Sequence, residues 1–238
     1  MIRVPASVRR LAALAAMLLP AAAMAQAPSP IEGVWELPVP QTELKPADGQ
    51  PVPFTPEGRK RYQAHRAAAA KGQFGFDAMK TSCSSPGQPR LMLTPKPFAV
   101  FVRPRMVTLL YQWNRLYRQI AVGPAFANPT LGENWWSFGL KQGHATGQWE
   151  GDTLVVQTDS FLEDGLLDDF LPTGEKLKLT ERLRLRAPGV LEDSVTIDDP
   201  QYYARPWTTV LTYQRSAQKL PFPEDVCLER LRAQQKAR

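Results

Sequence analysis

Residues 176–186 read Lys176-Leu177-Lys178-Leu179-Thr180-Glu181-Arg182-Leu183-Arg184-Leu185-Arg186, with apolar and polar residues alternating almost without a break. Side chains on a strand point to opposite faces with a period of two. Leu177, Leu179, Glu181, Leu183 and Leu185 therefore share one face, and lysine, threonine and arginine occupy the other. The leucine face must be turned inward, and it takes Glu181 with it. A carboxylate among four leucines is either ion-paired with an inward arginine or raised in pKa by desolvation. The first is a structural role. The second makes Glu181 a general acid/base or a ligand anchor.

The same period extends to both sides of this segment. Upstream, Phe98–Arg103, Met106–Trp113 and Arg115–Val122 read as consecutive strands. Gly143–Trp149 and Thr153–Ser160 form a hairpin about Glu150-Gly151-Asp152. Downstream, Pro188-Gly189 turns the chain into Val190–Ile197, and Trp207–Arg215 is the last strand. Residues 55–71 are the one predicted helix, a surface element with Thr55 as cap and Pro56 in its first turn. The expected fold is mainly β: an antiparallel up-and-down barrel or strongly curved sheet of about eight strands with one N-terminal surface helix. Gly33-x-Trp35 resembles the G-x-W of lipocalin-like barrels, in which the tryptophan plugs one end, and so favours the closed form.

Composition agrees. The chain has 238 residues, 43% apolar and 22% charged, enough for one domain with a core. Its 23 prolines exclude an all-helical bundle. Residues 1–25 read as a signal peptide: Arg3, Arg9 and Arg10, a short apolar run, then Ala23-Met24-Ala25. Residues 26–96 form a proline-rich segment with the helix, and 97–238 the barrel that this segment closes. Losing the three leader arginines would lower the net charge from +6 to +3. No nucleic-acid partner is expected at that charge, and no transmembrane segment in the mature chain. In an oxidising compartment Cys83 and Cys227 are expected to pair. The expected location is the periplasm or outside the cell; the oligomeric state is left open.

Candidate site residues follow from strand parity. Val190–Ile197 places Asp193 on an apolar face, near a wet rim. Tyr213 and Arg215 share a face of the last strand, and Arg118 shares one with Leu116 and Ile120. Either arginine is a candidate partner for Glu181 or Asp193. Trp135 and Trp136, in the loop 123–141, either cover a pocket, where they suit an apolar or sugar ligand, or pack at the barrel mouth. His144 sits between Gly143 and Ala145 and is the first choice for acid/base chemistry. His65, in the basic helix, reads as solvated. Glu163, Asp164, Asp168 and Asp169 read as a solvated acidic loop, because their spacing does not follow a calcium loop. No metal or cofactor is expected.

The stretch Gly143-His144-Ala145-Thr146-Gly147-Gln148-Trp149-Glu150-Gly151-Asp152-Thr153-Leu154-Val155-Val156 resembles a family of exported bacterial proteins of unassigned function with the pattern G-H-S-x-G-x-W-E-G-D-T-L-V-V-D-T. Thr180-Glu181-Arg182 and Thr196-Ile197-Asp198-Asp199-Pro200 through Tyr203, Pro206 and Trp207 match later family motifs in the same order. Ala145 stands where that pattern has serine, and Gln157 where it has aspartate. The resemblance implies export and a mostly β fold.

Three functions fit these residues. The first is a periplasmic barrel binding a small apolar or aromatic ligand in its interior, anchored by Glu181, His144 and Arg118 or Arg215. The second is a cofactor-independent isomerase or lyase with His144 as base and Glu181 as acid, which requires the two to converge. The third is a non-catalytic envelope interaction module, which a filled interior would favour.

Overall fold

A computed structural model describes residues 29–123, 141–162 and 165–236. Nine strands close into a barrel in chain order: β1 (Gly33–Glu36), β2 (Phe98–Arg103), β3 (Met106–Tyr111), β4 (Tyr117–Val122), β5 (His144–Glu150), β6 (Thr153–Asp159), β7 (Lys178–Ala187), β8 (Val190–Asp198) and β9 (Trp207–Arg215). Of the expected barrel or curved sheet, the closed barrel favoured by Gly33-x-Trp35 is the observed fold. The strand added to the expected eight is β1, hydrogen-bonded between β2 and β9.

An odd number of consecutive strands cannot close with antiparallel pairs alone. The one parallel pair is β4–β5, and it covers only Ala121↔Thr146 and Val122↔Gly147. By contrast, β7 and β8 pair from Lys178↔Asp198 down to Ala187↔Val190. The β4–β5 seam, like the β1–β9 pair, is thus among the least bonded lines in the wall.

Most inward positions are apolar. Val107, Leu109, Ile120, Leu154, Val156, Leu191, Val195 and Leu211 are all fully buried. Burying one such side chain contributes about 1.5–3 kcal/mol. That complete burial leaves no water-sized void beside them, so the interior is filled by the protein's own side chains. Lys178, Arg182, Arg184 and Arg186 line the outer face of β7 and are exposed.

Gly33 and Trp35 act together. Arg215 stacks on the Trp35 ring at 4.4 Å from its centroid. A Cβ on Gly33 would lie 2.1 Å from Arg215 Nη1, and its φ of +145° also favours glycine. Trp35 Nε1 donates to the Ile31 carbonyl at 2.9 Å.

Three helices appear among the described residues: α1 (Pro56–Ala70), α2 (Ala78–Ser82) and α3 (Cys227–Lys236). Thr55 caps α1 by accepting from Gly58 N at 3.0 Å. His65 is a correction to the sequence reading: it is buried rather than solvated. It stacks on Phe76 at 4.4 Å and its Nδ1–H donates to the Phe170 carbonyl at 2.8 Å. Burial lowers its pKa, and that hydrogen bond only partly offsets the shift.

The acidic loop is corrected in the same way. Asp168 is buried and accepts from the amides of Leu44, Phe170 and Leu171 at 2.7–2.8 Å. Asp169 binds Lys80 and Arg90, and Arg90 also makes a two-pronged bond to the fully buried Asp77. These acids are fasteners between the N-terminal segment and the loop. Glu163 and Asp164 lie outside the described residues. Cys83 and Cys227 form a disulfide. Among the described residues no helix is long and apolar enough to cross a membrane.

Candidate functional site

Strand register decides what Glu181 meets. Glu181 sits opposite Val156 on β6 and Val195 on β8, and Arg118 opposite Leu109 on β3. All project into the barrel, and Arg118 and Glu181 are 3% and 0% exposed. Arg118 Nη1 donates to Glu181 Oε1 at 2.8 Å, and Nη2 reaches Glu181 Oε2 as well. Nη2 also donates to Thr158 Oγ1 at 2.7 Å. A planar guanidinium facing a carboxylate in this way is the strongest form of ion pair. Burial works against the Arg118 charge, but Glu181 outweighs it and holds the guanidinium pKa above its usual value.

Asp193, expected at a wet rim, is fully buried between Leu183 and Leu211. Burial pushes its carboxyl well above the usual carboxylate range, and the Glu181 charge pushes further. Arg118 and the Arg182 backbone N–H pull the other way, without a well-aligned bond to either oxygen. With one cation and two acids in a dry interior, burial favours the protonated form of Asp193, in which the cluster is neutral. Tyr111 and Tyr213 face the same space, both raised in pKa by burial. Met92 presses in from the N-terminal segment: Tyr111 donates to its sulfur at 3.0 Å and Tyr213 to its carbonyl at 3.4 Å.

Stability should therefore depend on pH through Asp193. Unfolded, it ionises at about 3.9; folded, it holds its proton to higher pH. Its contribution is complete below the ordinary carboxylate range and is lost as pH rises through the raised native value. Urea midpoints measured from acid to mildly alkaline pH should fall more steeply for the wild type than for Asp193→Asn. Parallel curves would show that Asp193 ionises normally in the fold.

The remaining expected site residues are dispersed. Arg215 does not answer Glu181 or Asp193: it is exposed, over Trp35 and bonded to the Glu32 carbonyl, because its register places it opposite Trp35. His144 and Glu181 do not converge. Ala145 pairs with the inward Thr158, so His144, one position earlier and opposite the exposed Asp159, points outward. The two groups lie on opposite sides of the sheet wall, which removes the proposed acid/base pair. Trp135 and Trp136 lie outside the described residues.

The seam itself opens a cleft. Before the two β4–β5 pairs the strands part, leaving a cleft of about 450 Å³ walled by residues 115–119, 141–145 and Ser85. Leu116, Tyr117 and Ala145 give apolar wall, Arg115 and Lys141 charge, and Arg118 reaches it from within. Gly143 is required beside it: its φ is +68°, and a Cβ there would lie 2.7 Å from the Asp159 carbonyl. Three buried polar atoms of this wall have no partner among the described residues: Arg118 Nε, Ser85 Oγ and Gln142 Oε1. Such orphans are rare in folded proteins, since each costs about 1–3 kcal/mol. Sequence reading missed Ser85, Gln142 and Thr158, because the first two lie in irregular chain and Thr158 needs the register to be seen.

Fold and site together define a closed, nine-stranded meander barrel with a filled interior, an internal arginine–glutamate pair and a cleft at its parallel seam. No family model matches the chain, and no curated protein or solved structure matches it either.

Proposed function

We propose that this is an exported, periplasmic barrel that binds a small, largely apolar or aromatic molecule, seated in the β4–β5 cleft rather than in the barrel interior. The observation that carries this reading is the cleft of about 450 Å³ backed by buried Arg118 with its Nε N–H unsatisfied. Volumes of about 300–1,000 Å³ with mostly apolar walls and a few fixed polar groups suit small molecules. Export rests on the leader-like residues 1–25, the disulfide and the resemblance to an exported family. The filled interior favours the interaction-module reading, and the cleft distinguishes the two. Ligand-observed NMR of the mature protein with a panel of small aromatic acids, alcohols and amines should detect binding. Tyr117→Ala, which removes an exposed aromatic wall, should weaken it several-fold. A panel with no binder, or binding indifferent to Tyr117→Ala, would overturn the reading.

A further inference from the structure

We infer that the ligand of the β4–β5 cleft is an organic anion, carrying a carboxylate or phosphate, that also bears a hydroxyl or amine hydrogen-bond donor. This rests on the proposed binding function and names the chemistry of its ligand. The described wall of the cleft contains Arg115, Lys141 and Arg118 and no aspartate or glutamate. Arg115 and Lys141 have no ion-pair partner among the described residues. Arg118 is neutralised by Glu181 behind it, and Asp193 adds no charge when protonated. Among the described residues the charges of Arg115 and Lys141 thus meet no acid at the cleft, a potential that concentrates anions.

The orphaned atoms are buried in the wall, so a ligand bonds them only as the wall yields around it. Arg118 bonds Glu181 and Thr158 through Nη1 and Nη2, while its Nε, which can only donate, meets no acceptor among the described residues. The Ser85 hydroxyl adds a rotatable donor. An anionic oxygen is the kind of acceptor each of these donors lacks. Gln142 is oriented by its own bond: Nε2 donates to the Tyr117 carbonyl at 3.1 Å, which leaves Oε1 as the unmet acceptor. That oxygen calls for a donor on the ligand, which an anion of oxygen atoms alone does not supply.

Four aromatic probes separate these features at constant ionic strength, each titrated by NMR into the mature protein. Mandelate carries carboxylate and hydroxyl, benzoate only the carboxylate, benzyl alcohol only the hydroxyl, and phenyl phosphate a phosphate. Mandelate should bind at least ~tenfold more tightly than benzyl alcohol, the usual scale of a bond to a charged group, and several-fold more tightly than benzoate. Lys141→Gln and Arg115→Gln, rim changes that leave the internal ion pair intact, should erase most of mandelate's advantage over benzyl alcohol. Phenyl phosphate binding above mandelate would support the anion and identify the phosphate as its source. Benzyl alcohol binding as tightly as mandelate in the wild type would overturn the inference while the binding function stands. If none of the four binds and no other aromatic probe does, the binding function itself fails.

Discussion

Arg118→Ala is expected to destabilise the barrel by about 3–5 kcal/mol, the cost of leaving a buried charge without its partner. Glu181 is fully enclosed and has Arg118 as its cation, with Thr158 as a longer contact at 3.4 Å. Removing the guanidinium would leave Glu181 and Asp193 side by side in a dry interior with no counter-charge. The double replacement Arg118→Leu with Glu181→Leu should recover most of that loss, because matched apolar groups in place of a buried pair are often neutral or stabilising. Urea unfolding of both single variants and the double variant completes the cycle. A double variant as unstable as Arg118→Ala alone would show that shape, rather than uncompensated charge, sets the cost. The pair would then be a packing element and not an electrostatic one.

How far this pair was legible from the sequence depends on where each residue sits. Leu177 to Leu185 alternate so regularly that the inward side of β7, and with it Glu181, follows from the period alone. Arg118 against Arg215 does not follow, because both share a parity with apolar neighbours and only register separates them. Arg215 falls opposite Trp35 at the end of its strand, and Arg118 falls opposite Leu109 in the middle of the wall. His144 shows the sharper limit. A shift of one residue moves a side chain to the other face, and Ala145, not His144, faces Thr158. Asp77, Arg90 and Asp168 were illegible for another reason. They join segments with no period, and the bonds that bridge those segments span 13 to 124 residues. The acids of such a loop look solvated until the chain that covers them is in place.

Replacing both Cys83 and Cys227 by serine should lower stability by about 5 kcal/mol in the chain-entropy account, which treats the bond as a restraint on the unfolded chain. The linked cysteines are 144 residues apart, so the closed loop contains most of the barrel. Against typical stabilities of about 5–15 kcal/mol, that loss is large enough to leave the variant marginal. Other contacts still hold the tail. Asp225 accepts from Asn114 N at 2.8 Å and pairs with Arg230, and the Cys227 amide donates to Asn114 Oδ1 at 3.4 Å. The native near-ultraviolet circular dichroism of the variant should therefore match the wild type at low temperature while its urea midpoint falls. Cys83 also stands directly before the segment that presses Met92 onto Tyr111 and Tyr213. If the bond's main role is to hold that segment in the folded state, the variant will lose native aromatic ellipticity before it unfolds. That outcome would transfer the effect from the unfolded chain to the cover over the Asp193 cluster, and the entropic account would fail.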